Sequence, residues 1–284
     1  VNGTLHEIGP REGLDRFFAV HPGKRGVERY WLAYTPFWAG ATGIVMLGGW
    51  AEQWNDVQCM AYGLLLFAGA WWGPLRIRAD DEEDLVFWET AAFKSAASVT
   101  LLAFGLNYTQ TPYFFDVLHM HYGWQTTWNI DRNPVFLYLM SVAYFGTYFS
   151  LCTMSFRWLR SLGMRAAAWI LAPLAMAFLE TVLNANPFMS SLFCYDDLPL
   201  MLWFGTLSYG VAFIFVLPVW VSLDETRDRT LPLVWVVAAT LGAMYADLIT
   251  LDLLRYHVAP LVTTVVTDAP GLRDFGSGCL LPPS

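Results

Sequence analysis

The segment from Ala166 to Leu183 reads AAAWILAPLAMAFLETVL, eighteen residues with a single charge, Glu180. An apolar run of this length suits a membrane-spanning helix better than a soluble core helix, which rarely needs it. A carboxylate inside such a run is costly, so it marks a candidate functional group. The alternative is a Glu near a helix end that snorkels or bonds to a neighbouring helix. The run therefore restricts both the solvent of the chain and the place where its chemistry should be sought.

Composition agrees with a lipid environment. Of the 284 residues, 56% are hydrophobic and 14% charged, with a mean hydropathy of +0.42. Soluble domains carry about 25% charged residues, so this chain lacks the means to cover itself in water. Aromatic residues make up 17%, fourteen of them Trp, and interfacial belts account for part of that load. A net charge of −8 argues against nucleic acid as a partner. Four cysteines, Cys59, Cys152, Cys194 and Cys279, have no metal-like spacing and read as small buried thiols. The first 30 or so residues contain no apolar core of signal-peptide type, because FFAV at 17–20 is too short. Insertion is therefore expected to be directed by the first span.

Seven apolar runs follow, at roughly 30–51, 57–77, 86–108, 134–156, 166–184, 198–222 and 232–254. They predict an all-α fold, a polytopic transmembrane bundle of about seven spans. A short segment, 1–29, precedes the helical domain at 30–258, and an irregular Pro/Gly-rich tail occupies 259–284. The third run is the least apolar, with Glu89 and Lys94 in its first turns, both expected to stay wet at the interface. Cationic residues test the count. With seven spans, twelve of the sixteen Lys and Arg fall on the side of the N-terminus, among them Lys24, Arg29, Arg76, Arg157 and Arg227. Only Arg132, Arg255 and Arg273 fall on the other side. The positive-inside rule then places the N-terminus in the cytosol. The acidic stretches ADDEED (79–84) and DETRDR (224–229) read as solvated loops.

That orientation gathers polar groups at the far end of the bundle. Glu180, Asn184 and Asn186 close the fifth run, Asn107 and Tyr108 close the third, and Asp247 and Asp252 lie late in the seventh. The connection 109–133 adds Asp116, His119, His121 and Asp131, together with a dense set of aromatics. It is long for a helix connection, and long loops are often functional. A carboxyl without a cation partner in apolar surroundings is held in its acid form, which makes it a general acid in waiting. Asp252 has an alternative partner in Arg255, three residues on. His119 and His121 with Asp116 form only a weak metal pattern, so no metal and no cofactor site is assigned. Nucleophile-elbow, phosphate-loop and dinucleotide fingerprints are missing from the sequence.

Five segments taken in order, RYWLAYTPFW (29–38), NYTQTPYFFDVLHMHYGW (107–124), FLETVLNANPF (178–188), LDE (223–225) and LDLLRYHVAPLV (251–262), resemble the cycloeucalenol cycloisomerase family. The likeness runs from about residue 29 to 262; ADDEED, the first 28 residues and the end of the chain do not match. The resemblance implies a membrane enzyme of sterol synthesis in the endoplasmic reticulum. It would open the 9β,19-cyclopropane ring of cycloeucalenol to give the 8-ene obtusifoliol, without an organic cofactor. It further implies Glu180 as proton donor and Asp252 as base or tuning partner. Asn107, Tyr108 and Asn184 would orient a carboxyl or the sterol hydroxyl, and Tyr113, Phe114 and Phe115 would line the ring system. Partners would be membrane lipids and the sterol. The alternative is a non-catalytic, cycloisomerase-like subunit of a larger membrane complex in another organelle membrane. A transporter reading is disfavoured, because no inverted repeat is visible.

Overall fold

A computed structural model describes residues 13–262. The first twelve residues and the tail from Thr263, which includes Cys279, lie outside the described residues. Seven helices make up most of the chain: α1 (Pro22–Leu47), α2 (Asp56–Trp72), α3 (Ala91–Asp116), α4 (Val135–Ser161), α5 (Ala168–Asn184), α6 (Leu198–Ser222) and α7 (Leu233–Val262). Of these, α4, α6 and α7 are long and apolar enough to cross a membrane, and α5 is a shorter apolar helix. Among the described residues, four short strands lie outside the helices. They are β1 (Met120–Tyr122), β2 (Asn129–Ile130), β3 (Asn133–Pro134) and β4 (Phe193–Tyr195). β1 pairs antiparallel with β4, and β2 with β3.

Each helix coincides with one apolar run, but several ends move. α1 begins at Pro22, eight residues before the expected start, because Pro suits the first helical position and His21 accepts a bond from the Gly23 amide at 3.2 Å. α2 begins with a reciprocal cap: Asn55 accepts from the Gln58 amide and Gln58 from the Asn55 amide, both at 3.0 Å. α3 continues to Asp116, so the first eight residues of the expected loop 109–133 are helical. The helix α7 likewise extends through Ala259–Val262, where an irregular tail was expected. Both α6 and α7 contain a π-helical turn, at Met201–Gly205 and Leu254–Val258.

α4 is the central helix and packs against α1, α2, α3 and α5. Close approach to α1 depends on Gly146, where a Cβ would sit 2.8 Å from the Trp31 ring. α5 packs between α4 and α6, and α7 lies at the edge against α3 and α6. Most of the surface of α7 is uncovered, with Val234, Trp235, Leu241, Tyr245 and Ile249 exposed.

The acidic loops are solvated over most of their length, but Glu82 and Asp224 turn inward. Glu82 is 1% exposed and accepts from the backbone amides of Ala91 at 2.6 Å and Ala79 at 3.1 Å. Its position at the start of α3 complements the helix dipole. Lys94, expected to be wet, is also buried. It bonds the Asp224 carboxylate at 2.5 Å and the Leu231 carbonyl at 2.9 Å. Glu89 receives the Leu233 amide at 3.2 Å and so caps α7. Cys59 and Cys152 are buried free thiols as expected, whereas Cys194 is disulfide-bonded.

Beside them, Arg157 at the end of α4 bonds Glu225 through Nε at 2.7 Å and Glu28 through Nη2 at 2.8 Å. Lys24 meets Glu225 at 2.7 Å and donates to the Trp220 carbonyl at 2.6 Å. Glu28 also accepts from the Ala19 amide at 2.8 Å. Two cations and two anions thus close the ends of α1, α4 and α6. Burial pushes the Glu225 carboxyl up, but Lys24 and Arg157 outweigh it and hold the group at about 2, against 4.5 for a free Glu.

Two outcomes are expected. Arg157→Met leaves two carboxylates without their shared cation and should cost about 3–5 kcal/mol, read as a lower thermal midpoint in detergent. Because the folded Glu225 pKa is depressed, its contribution is complete above about pH 4.5 and is lost as pH falls toward 2. Thermal midpoints should drop across that window, and Glu225→Gln should flatten this part of the profile.

Candidate functional site

At the opposite end of the bundle α1, α3, α4, α5 and α6 enclose a cavity of about 530 Å³. Ligand pockets span roughly 300–1,000 Å³ and are mostly apolar with a few convergent polar groups. The walls here follow that pattern. Trp38, Thr42 and Met46 come from α1, and Tyr144, Phe145 and Tyr148 from α4. Asn107, Gln110, Thr111 and Phe114 come from one face of α3. Tyr122 of β1, Phe193 and Tyr195 of β4, and Tyr209 of α6 close the remaining sides. Aromatic edges pack ring to ring behind this surface, with Tyr122 against Phe193 at 5.4 Å and Tyr209 against Phe213 at 5.1 Å.

Glu180 projects into the cavity from the last turns of α5; among the described residues it is the one carboxyl of the lining, which contains no Lys, Arg or His. Asn184, one turn on, donates Nδ2 to Glu180 Oε1 at 2.7 Å. The phenols of Tyr122, Tyr144, Tyr195 and Tyr209 all lie within electrostatic reach of this carboxyl. On the two strands, burial pushes the Tyr122 and Tyr195 phenols above their ordinary value, so they remain neutral donors.

The other expected site residues divide. Asn107 and Phe114 are on the wall. Both N–H groups of the Asn107 amide are used, donating to Ser141 Oγ at 2.9 Å and the Ala103 carbonyl at 2.8 Å, and its oxygen accepts from Asn133 at 2.9 Å. It shapes the wall and has no N–H left to donate to a ligand. Tyr108 is 56% exposed on the outer face of α3. Tyr113 is buried away from the cavity with its hydroxyl 3.2 Å from Ser208. Phe115 stands behind Tyr122, edge-on at 5.0 Å.

Asp252 is not at the cavity. It is exposed on α7, and Arg255, its expected partner, bonds Asp116 at 3.4 Å instead. Asp116 also takes Arg132 at 2.9 Å, and His121 faces Asp196 at 3.2 Å. The histidine pattern of this connection is therefore not gathered around Asp116. Asp247, five residues before Asp252, is fully buried and receives Gln110 Nε2 at 3.4 Å.

Sequence reasoning missed Gln110, Thr111, Tyr144, Tyr195 and Tyr209. Tyr144 and Tyr209 are polar groups in uncharged runs, which was a usable signal. Tyr195 reaches the site only through the β1–β4 pairing, where Met120 stands opposite it, and no local pattern announces that contact.

No protein-family model matches the chain, and no solved structure matches it. Over 258 residues, covering 87% of this chain and 90% of the relative, the sequence is 28% identical to the cycloeucalenol cycloisomerase of Arabidopsis thaliana. The resemblance carried by the five segments thus extends to an alignment over nearly the whole chain.

Proposed function

We propose that the cavity holds a sterol and that the protein opens the 9β,19-cyclopropane ring of a cycloeucalenol-type substrate to give an 8-ene. One observation carries this reading: among the described residues, a single carboxyl with no cation on the wall beside it faces an aromatic, apolar cavity. A likeness to a protein named for the same chemistry supports it. The seven helices are read as spans, with the Lys/Arg-rich end in the cytosol and the membrane that of the endoplasmic reticulum.

A strained C–C bond is a feeble base, so its proton donor must be neutral, desolvated and well aimed. Glu180 supplies the proton to C19. The C9–C19 bonding pair takes it up, leaving tertiary cation character at C9. Loss of the C8 proton then lets the C8–H pair form the C8=C9 double bond. In this scheme the Glu180 carboxylate accepts that proton, because it is the one carboxyl on the wall among the described residues and Asp252 lies elsewhere. The acid is thereby restored, no electrons are gained or lost, and no organic cofactor is required. Faces of Tyr144, Tyr209 and Phe114 stabilise the cation, and the dry cavity protects it from water. A non-catalytic subunit would have no use for a cavity kept open among so many aromatic rings.

Incubating purified Glu180→Gln with cycloeucalenol should yield at least about 100-fold less obtusifoliol than the wild type, the usual scale for losing a general acid. Glu180→Leu should be as thermally stable as the wild type or more so, because the half-buried carboxyl it removes has no cation partner and its one side-chain hydrogen bond is to Asn184 on the same helix. Near-normal turnover by a folded Glu180→Gln variant would discard the assignment.

A further inference from the structure

The scheme above leaves one group of the ligand without a partner. A sterol is apolar but for its hydroxyl, and burying that group unbonded costs binding energy. The amides on the wall are already engaged. Asn107 donates to Ser141 and Ala103, and Gln110 to Asp247. Asn184 donates to the Glu180 carboxyl and backbone carbonyl at 2.7 and 3.2 Å, and Asn186 to the carbonyls of Val182 and Leu183 at 3.1 and 2.7 Å. Of the phenols, Tyr122 interacts with Thr111, and Tyr144 with Ser141 and Asn107.

Three phenols remain, Tyr148, Tyr195 and Tyr209, which line the cavity with no hydrogen-bond partner among the described residues. Their oxygens are not among the sealed ones that lack a partner, so they open onto the cavity. Depth separates them. Glu180 stands four residues before the end of α5 at Asn184, about 6 Å inward along the axis. Tyr209 is eleven residues into α6 from Leu198, about 16 Å, and Tyr148 thirteen into α4 from Val135, about 20 Å. Tyr195 lies outside the helices, on β4 at the end itself. Pairing with β1 and the bond from the Asp196 amide to the His119 carbonyl at 3.1 Å hold it there. From the end of the bundle inward the order is therefore Tyr195, Glu180, Tyr209, Tyr148.

We propose that the Tyr195 hydroxyl binds the hydroxyl of the sterol and so fixes which way round the ligand lies. In a sterol the hydroxyl on C3 and the reacting C19 on C10 stand at opposite ends of ring A. The group that receives the hydroxyl must then be near Glu180 without touching it, and Tyr195 is the phenol one step outward. With the hydroxyl there, C19 comes to Glu180 and the remaining rings run inward past Tyr209 toward Tyr148. Placing the hydroxyl at Tyr209 or Tyr148 would reverse the ligand and bring its apolar tail to the polar end of the bundle. A neutral phenol both donates and accepts, which matches a hydroxyl. The assignment rests on the sterol reading for its ligand, but binding can be measured without turnover.

The test pairs a change in the protein with the matching change in the ligand, using cycloeucalenol and its 3-deoxy analogue on purified, lipid-reconstituted protein. Tyr195→Phe removes a hydroxyl that has no protein partner, so the variant should fold as the wild type does. Its KM for cycloeucalenol should rise about tenfold with kcat little changed, the scale of one lost hydrogen bond. For the 3-deoxy analogue the wild type should already show the raised KM, and Tyr195→Phe should change it by less than about twofold. Tyr209→Phe, which leaves the hydroxyl contact in place, should change both sterols by the same factor. A Tyr195→Phe variant that weakens both sterols alike, or neither, would overturn the assignment, and so would selective loss in Tyr209→Phe. If the wild type turns over neither sterol, the functional reading fails while thermal shifts still decide the contact. Cycloeucalenol should then stabilise the wild type more than the 3-deoxy analogue does, and Tyr195→Phe should erase the difference; equal shifts in the wild type would sink the proposal.

Discussion

Arg157 holds the bundle closed at one end. Its guanidinium reaches Glu28 on α1 and Glu225 after α6 from the last turns of α4, at 2.8 and 2.7 Å. α4 is the helix on which α1, α2, α3 and α5 all pack, so this contact ties the central helix to the ends of two others. Coulomb attraction between charges this close and this dry is strong, but so is the cost of desolvating them. What makes the cluster viable is balance: two cations, two anions, and backbone groups of Ala19, Phe17 and Trp220 on the remaining sites. Lys94 with Asp224 and Glu82 with the Ala91 amide follow the same rule at the start of α3. Each charge buried at this end, Lys24, Glu28, Glu82, Lys94 and Asp224, has a partner.

The cavity end inverts that rule. Glu180 has an amide, Asn184, where Glu225 has two cations. Asp247 has an amide, Gln110, where Asp224 has Lys94. Each of these carboxyls sacrifices stability that a cation would have supplied, and such local deficits are characteristic of functional sites. Rigidity at the paired end allows it, since the helices that carry the cavity walls are fixed where they leave it.

Helix positions were legible because each apolar run is long enough to be read without its neighbours. Helix faces were less so. Asp247 and Asp252 are five residues apart, which turns the helix through about 140° beyond a full revolution; if one faces the bundle the other cannot. Both were plausible by sequence, and the buried one is Asp247. The same geometry separates Tyr113, Phe114 and Phe115, about 100° apart in succession. Phe114 shares the cavity face with Asn107, Gln110 and Thr111, at spacings of seven, four and three. Glu180 and Asn184, four apart on one helix, were recoverable as a pair for the same reason. The acidic loops are largely exposed as expected, but composition reports charge and not the helix ends and lysines that two of their carboxylates meet. Glu82 and Asp224 are each 1% exposed.

The position of the cavity also bears on how a ligand reaches it. α1 and α5 both pack on α4, and each contributes wall residues, Trp38 and Thr42 on one side, Glu180 and Leu183 on the other. Along the rim, Leu47, Leu183 and Phe188 are exposed, Phe188 by 81%. Exposed apolar side chains at a cavity mouth are costly against water and cost nothing against lipid tails. On the proposed reading the substrate is itself dissolved in the bilayer, so a mouth between α1 and α5 admits it sideways without crossing an aqueous layer. Glu180 then meets the ring system of a ligand that arrives already stripped of water. That is the condition under which a carboxylic acid can protonate a carbon–carbon bond.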